Sequence, residues 1–199
     1  MSRVPWDLNA LEQLIIVCCH AIWLGGPTKG QDESEWLIEN FQKNETPTFI
    51  EHIDCALKLL ESQPNAMVIF SGGATKLSKI SLTEGQSYLN LALTLHPHLA
   101  LPPYQHTLHP EPYATDSYQN TLFSLLLFRR LTNHYPNHIT IISHDFKRAR
   151  FLELHIPAIR WPKDRVNFIG TAQKAMFRIT ICTGLKADFN VNLHSSLRH

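Results

Sequence analysis

The sequence contains four short apolar runs that are continuous rather than alternating. They read LIIVCC, MVIF, ITII and, less regularly, RITIC, at Leu14–Cys19, Met67–Phe70, Ile139–Ile142 and Arg178–Cys182. A strand that is apolar on both faces fits a parallel sheet covered by helices on each side, whereas a strand with one solvated face alternates. The runs therefore predict a buried sheet whose strands are mainly parallel.

Helical patterns separate the apolar runs. They cover Thr48–Gln63, Thr83–Leu95, Asp116–Asn133 and Asp145–His155. Thr48 and Glu51 have the spacing of a capping box, which predicts that the first helix begins at Thr48. Strands and helices that alternate in this way imply crossover connections. The sequence therefore predicts an α/β fold, a Rossmann-like three-layer sandwich with a mainly parallel sheet.

The composition limits the classes of protein to which the chain can belong. The chain has 199 residues, of which 44% are hydrophobic and 18% charged, as expected for one globular, soluble domain. The longest apolar run, Leu14–Gly26, contains His20 and is shorter than the roughly 20 residues of a membrane span. The first residues lack the basic flank and apolar stretch of a secretory signal. We therefore expect a cytoplasmic protein without a membrane partner.

The net charge and the positions of the cysteines and histidines exclude further functional classes. The net charge is +1 and no run of Lys or Arg occurs, so the sequence predicts no nucleic-acid partner. The four cysteines show no C-x-x-C spacing, which indicates reduced structural thiols. The 12 histidines are scattered and lack a helical H-x-x-x-H pair. We therefore predict no metal site.

The segment FSGGATK follows the second apolar run directly. Ligands of open parallel sheets bind beyond the carboxyl ends of the strands, where this segment is expected to lie. The N–H groups of Gly72 and Gly73 are suited to hold an anion, with Ser71, Thr75 and Lys76 adding donors and charge. A tight turn explains the glycines equally well. Neither a G-x-G-x-x-G nor a Walker pattern is present.

Two further helices carry polar residues that point to a site. Asp116, Asn120 and Ser124 fall at i, i+4 and i+8 and form a polar stripe on an otherwise apolar helix. Polar side chains on a buried face require hydrogen-bond or ion-pair partners. Asp116 as a simple N-cap is the alternative. Glu84 lies in the first turn of the second helix, where the helix dipole also favours a carboxylate, and Ser87 follows one turn later.

The segment SHDFKRARF places three cations in the first turns of a helix, where positive charge is unfavourable. A solvated face accounts for Arg148. Lys147 and Arg150 lie three residues apart, and we expect them to face the site, with Asp116 or Glu84 as partners.

Five segments in this order resemble the SanA/YdcF-like family, domain of unknown function 218, and specifically its fungal cytoplasmic branch. The segments are IIVCCHAIW, VIFSGGATK, EGQSYL, DSYQNTLFS and ISHDFKRARFLELH, spread over about residues 10–170. The resemblance implies a Rossmann-like sheet with a polar cleft formed by these segments, in a family without an established general activity. The implied cleft residues are His20, Ser71, Gly72, Gly73, Thr75, Glu84, Ser87, Asp116, Asn120, Lys147 and Arg150.

The sequence departs from this family in two places. Bacterial members usually have a Tyr-His pair where this chain has Phe146 and Lys147, so an imidazole base is missing at that position. Beyond Gly170 the sequence also diverges from the fungal members. We therefore predict one domain over residues 1–170 and a divergent or truncated tail over residues 171–199, from alternative splicing or an erroneous gene model.

These features predict a protein that binds or processes a small anionic molecule, phosphate-bearing or nucleotide-like, in a cleft at the carboxyl ends of the strands. Asp116, Glu84 and His20 are the catalytic candidates. The candidates for substrate binding are Ser71, Gly72, Gly73, Thr75, Ser87, Asn120, Lys147 and Arg150. A non-catalytic metabolite-binding or interaction protein is the alternative. The reaction, any cofactor and the oligomeric state stay open.

Overall fold

The computed structural model describes residues 7–76 and 80–171. Its strands are β1 (Gln13–Cys18), β2 (Ile22–Trp23), β3 (Trp36–Leu37), β4 (Ala66–Ser71), β5 (Leu108–Glu111), β6 (His138–His144) and β7 (Val166–Thr171). Five of them form one sheet in the order β5-β4-β1-β6-β7, and every neighbouring pair is parallel. β2 and β3 form a separate antiparallel pair.

Helices cover both faces of the five-stranded sheet. They are α1 (Thr46–Ser62), α2 (Glu84–Leu95) and α3 (Ser117–Thr132), followed after β6 by a 3-10 turn (Asp145–Lys147), a π-helical segment (Arg150–His155) and α4 (Ile156–Ala158). α1 and α2 pack on one face, whereas α3 and the π-helical segment pack on the other. The predicted three-layer α/β fold is therefore confirmed. Among the described helices, none is long and apolar enough to cross a membrane.

The two faces explain why the strand sequences are continuously apolar. In β1, Ile15 and Val17 pack into the cluster formed by α1 and α2, whereas Leu14 and Ile16 pack into the cluster formed by α3. Successive side chains of a strand point to opposite faces, so both sets must be apolar when both faces are covered.

Several element boundaries differ from the sequence prediction. The first helix begins at Thr46 with Pro47 in its first turn, so the capping box predicted at Thr48 is wrong. The N-cap alternative for Asp116 is confirmed, because Asp116 caps α3 by accepting a hydrogen bond from the N–H of Gln119 at 2.8 Å. The predicted fourth helix is broken into the 3-10 turn, the π-helical segment and α4.

The prediction lacked the short strands β2 and β3 and two strands of the five-stranded sheet, β5 and β7. β5 reads LHPE and is an edge strand, where Pro110 does not interrupt a hydrogen-bonded ladder on its open side. β7 reads VNFIGT, and its polar residues interrupt the continuous apolar run by which the other strands were predicted. The strand predicted at Arg178–Cys182 and the tail predicted from residue 171 lie outside the described residues, apart from Thr171, which ends β7.

The strand order reverses direction between β1 and β6. The chain leaves β1 toward β4 on one side, whereas it leaves β6 toward β7 on the other. Connections that diverge in this way open a space above the carboxyl ends of the two strands, which is the usual ligand site of open α/β sheets. We call this place the switch point.

Candidate functional site

The switch point brings together two residues that the sequence predicted. His20 follows β1, and Lys147 lies in the 3-10 turn after β6. Nζ of Lys147 is 3.4 Å from Nδ1 of His20, and Nε2 of His20 is 3.4 Å from Oγ of Ser143. Because an ammonium group only donates, Nδ1 of His20 is the acceptor and Nε2 carries the proton.

Burial changes the charge state of this pair. The pKa of His20 is lowered well below its ordinary value, first by desolvation and then by the positive charge of Lys147. Desolvation also lowers the pKa of Lys147, and the nearby guanidinium of Arg150 adds to this effect. His20 is therefore neutral at pH 7, and Lys147 releases its proton more readily than a solvated lysine does.

Two buried histidines surround His20: His52, which was not predicted, and His144, which lies just after the third apolar run, where site residues are expected. The ring centroid of His144 is 4.4 Å from that of His20, and that of His52 is 5.7 Å away. Nε2 of His52 lies 2.6 Å from Oγ1 of Thr171, and Nε2 of His144 lies 3.5 Å from Oε2 of Glu45. Desolvation lowers the pKa of His52 to about 3 and that of His144 to about 4.

The sequence carried a signal for these histidines, because His144 ends a buried strand and His52 lies among apolar positions of α1. The cluster is nevertheless not a metal centre. Across residues 7–76 and 80–171, no group of three or more His, Cys, Asp or Glu side chains is arranged to hold a metal ion.

Glu84 and Thr75 form a second part of the site. Oγ1 of Thr75 donates a hydrogen bond to Oε1 of Glu84 at 2.6 Å. Glu84 is buried, and desolvation raises the pKa of its carboxyl group against the opposing effects of Thr75 and of the ammonium groups of Lys76 and Lys147. Nζ of Lys76 pairs with Oε1 of Glu39 at 3.0 Å.

The two glycines of FSGGATK serve close packing. The N–H of Gly72 donates to the carbonyl of Glu111 at 3.0 Å, and that of Gly73 donates to the carbonyl of Ala114 at 2.6 Å. A Cβ atom on Gly72 would lie 2.8 Å from Cβ of Glu84. The glycines therefore let the loop approach its neighbours, and these two N–H groups are occupied within the protein rather than presented to an anion.

Ser71 and Asn120 belong to a buried network behind the site. Oγ of Ser71 donates to Oε2 of Glu111 at 2.6 Å and accepts from Nδ2 of Asn120 at 2.9 Å. Glu111 also accepts a hydrogen bond from the N–H of Tyr113 at 2.7 Å. The network joins β4, β5 and α3. Glu111 was not predicted because the strand that carries it was not predicted.

Three other predicted residues lie at the margin of the site. Ser87 is fully buried, and its hydroxyl donates to the carbonyl of Glu84 at 2.8 Å and accepts from the N–H of Trp23 at 3.1 Å. These bonds join α2 to β2. Asp116 is exposed and acts as the N-cap of α3. Arg150 is exposed and makes no ion pair with any described carboxylate.

Arg148 is exposed, as expected for a solvated face, and it also forms specific bonds. Its Nη2 pairs with Oδ1 of Asp145 at 2.8 Å, and its Nη1 donates to the carbonyl of Phe168 at 3.0 Å. These bonds fasten the turn after β6 to β7. They therefore fix the backbone of the turn that contains Lys147.

A separate small cavity lies far from these groups. Its volume is about 60 Å³, and its walls include Leu60, Pro64 and Tyr104. Leu60 is near the end of α1 and Pro64 precedes β4, so the cavity lies at the amino ends of the strands. It has room for only a few water molecules.

The chain is similar to a known protein of yeast. The chain is 28% identical over 205 residues to an uncharacterized protein of Saccharomyces cerevisiae, YOR238W, and the alignment covers 81% of this chain and 68% of the yeast protein. No protein-family model and no solved structure matches the chain.

Proposed function

We propose that this protein binds a small anionic, phosphate-bearing molecule at the switch point. One observation carries the proposal: the partly buried ammonium of Lys147 contacts the neutral ring of His20 and forms no ion pair with a described carboxylate. Removing a cation from water is unfavourable unless an opposite charge compensates for it. A phosphate group in the crevice provides that charge.

A second cation and the fold support the same interpretation. Arg150 is exposed one turn beyond Lys147, and its guanidinium lowers the pKa of the Lys147 ammonium, so the two positive charges repel each other. An anion between them relieves this repulsion. The place is also where open α/β sheets bind their ligands, at the carboxyl ends of the strands on either side of the reversal.

The proposal extends to chemical processing of the bound molecule. His20 is a neutral imidazole able to accept a proton, and the raised pKa of Glu84 suits it to donate one. Asp116, the third candidate, follows β5 at the same edge of the sheet. A metabolite-binding protein without catalysis uses the same cationic groups, and a bound ligand that leaves unchanged distinguishes it from an enzyme.

We also propose membership of the SanA/YdcF-like family and a cytoplasmic location. Support for membership is that the five resembling segments all contribute to the carboxyl edge of the sheet or to the helices beside it. Support for the location is that the thiols of Cys18 and Cys19 are buried and form no disulfide bond within the part of the chain that the structure describes. Desolvation raises the pKa of the Cys18 thiol to about 12, which suits a structural rather than a reactive cysteine.

Native mass spectrometry of the purified full chain tests the proposed function. We expect a co-purifying small anion, or a rise in melting temperature with inorganic phosphate or nucleoside monophosphates, that is lost in Lys147→Met. Lys58→Met, on the exposed side of α1, is the matched control. A folded wild-type protein that carries no anion and responds to none of these compounds overturns the proposal.

A further inference from the structure

Three large aromatic side chains are exposed in segments that follow strands of the sheet. Phe41, Tyr113 and Phe146 have 79%, 75% and 71% of their surface exposed. Each lies in a segment that leaves the carboxyl edge of the sheet: Phe41 between β1 and α1, Tyr113 after β5, and Phe146 after β6. Exposed aromatic groups that collect around a polar site indicate a binding surface rather than chance.

Phe146 is adjacent to the charged part of the site. Its ring centroid is 5.3 Å from that of His144, and Nζ of Lys147 is 5.8 Å from the same centroid. One face of a small ligand is therefore within reach of an aromatic ring, while another part of it is within reach of an ammonium group.

The other two aromatic residues are tied to the site through their neighbours. Gln42, next to Phe41, donates from Nε2 to the carbonyl of His20 at 2.6 Å. The carbonyl carbon of Tyr113 lies 3.3 Å from the position that a Cβ atom on Gly73 would take. The backbone next to Phe41 is thus fixed at His20, and that of Tyr113 is fixed at the loop after β4, while both rings are open to solvent.

We propose that the ligand is a nucleotide, whose base stacks on Phe146 while its phosphate contacts Lys147. This inference rests on the proposed function and specifies its ligand class. A phosphosugar compensates the charge of Lys147 but leaves Phe146 uncovered, whereas an uncharged aromatic compound covers Phe146 and leaves Lys147 and Arg150 without an anion. A nucleotide carries a planar base and an anionic phosphate joined through one ribose. It therefore covers Phe146 and also compensates the charge of Lys147.

Isothermal titration calorimetry of the full chain tests the inference with three kinds of probe. They are the four ribonucleoside 5′-monophosphates, ribose 5-phosphate and inorganic phosphate. Stacking of a base on an aromatic side chain contributes about 1–3 kcal/mol, so at least one nucleotide is expected to bind about 5- to 150-fold more tightly than ribose 5-phosphate. Phe146→Ala is expected to remove this ratio without changing the affinity for ribose 5-phosphate.

Two control variants make the result specific. Phe146→Tyr keeps a ring and is expected to keep the ratio. Tyr135 is 49% exposed and lies just before β6, at the opposite edge of the sheet, so Tyr135→Ala is expected to leave the ratio unchanged. Phe146 is exposed, so its replacement leaves the core intact.

The outcomes separate the inference from the proposed function. Equal affinity for nucleotides and ribose 5-phosphate, or an unchanged ratio in Phe146→Ala, overturns the nucleotide inference and leaves the anion site in place. No binding of any probe to the folded protein overturns both. A ratio lost in Phe146→Ala but kept in Phe146→Tyr and Tyr135→Ala supports the inference.

Discussion

The ammonium nitrogen of Lys147 lies 3.4 Å from Nδ1 of His20 and connects the two segments that diverge at the switch point. One segment follows β1 and the other follows β6, so the contact spans the crevice between these strands. The rings of His144 and His52 lie behind it. The cation therefore contacts a neutral imidazole, while the carboxylates of Glu45 and Glu84 attract it without forming an ion pair.

Replacing Lys147 is expected to weaken ligand binding and to stabilise the fold. The pKa of its ammonium is lowered by burial, so the folded state holds this proton less tightly than the unfolded state, and at pH 7 the charge opposes folding. Lys147→Met removes that unfavourable charge. We expect a melting temperature equal to or above that of the wild type, by about 2–4 °C for each kcal/mol gained.

Differential scanning fluorimetry without ligand measures this effect, with the exposed Lys58→Met as control. A melting temperature of Lys147→Met several degrees below that of both other proteins contradicts the account. It would mean that Lys147 is a structural ion-pair partner.

The histidine cluster predicts that stability falls as the pH drops from 6.5 toward 4. The pKa of His20 is lowered, that of His52 is about 3 and that of His144 is about 4, all chiefly through desolvation. In this window the unfolded chain binds protons that the folded chain excludes, so the free energy of unfolding decreases by up to about 1.4 kcal/mol per pH unit for each histidine. Glu84, with its raised pKa, acts in the opposite direction.

Urea unfolding at several pH values between 4.5 and 7.5 measures this dependence. His144→Gln is expected to flatten the profile, whereas replacement of the exposed His106 by Gln is expected to leave it unchanged. A profile that is flat in the wild type, or equally steep in His144→Gln, contradicts the prediction.

Apolar patterning was enough to predict the layers of the fold but not its edges. The runs in β1, β4 and β6 are buried on both faces, so their composition is set by the core. β5 and β7 lie at the two ends of the described sheet, where fewer apolar contacts are required and Pro110 and Asn167 are tolerated. Edge strands therefore left little signal in the sequence.

The site was predictable where residues directly follow a strand. His20 and Lys147 were identified because parallel strands place their carboxyl ends at one edge. His52 was not identified because it reaches the site from the middle of α1, and its contact with His144 depends on how the helix packs on the sheet. Ser87 was predicted as a site residue because a hydroxyl that satisfies a backbone N–H has the same sequence signature as one that binds a ligand.

Glu35 is expected to stabilise the loop between β2 and β3. Its carboxylate accepts hydrogen bonds from the N–H groups of Thr28 and Gly30 at 2.7 and 2.6 Å and from Nε1 of Trp23 at 3.3 Å. Glu35→Gln replaces one acceptor oxygen by an NH₂ group that faces these donors. We expect a melting temperature lower by several degrees and faster proteolysis within residues 24–34.

The control for this variant is Glu153→Gln, at an exposed position of the π-helical segment. Equal melting temperatures and equal proteolysis of the two variants would show that the loop does not depend on Glu35.

Gly85 is expected to be intolerant of a side chain. A Cβ atom at this position would overlap the carbonyl oxygen of Phe70 and lie 3.0 Å from that of Glu111. The first turn of α2 therefore packs directly on the backbone of β4 and β5. Gly85→Ala is expected to reduce the free energy of unfolding by about 1–3 kcal/mol.

Urea denaturation measures this loss, with Gln86→Ala at the next position of the same helix as control. Gln86 is only partly buried and bonds to Asn90 on the surface. A Gly85→Ala variant as stable as Gln86→Ala would contradict the close approach of α2 to the sheet.

The most direct test of the anion site is the nuclear magnetic resonance signal of the His20 imidazole in the full chain, assigned with His20→Gln. The account predicts that inorganic phosphate or a nucleoside monophosphate shifts this signal in the wild type, leaves the signal of the distant His134 unchanged, and shifts neither signal in Lys147→Met. A His20 signal that does not respond to these anions, while the protein binds them elsewhere, would contradict it.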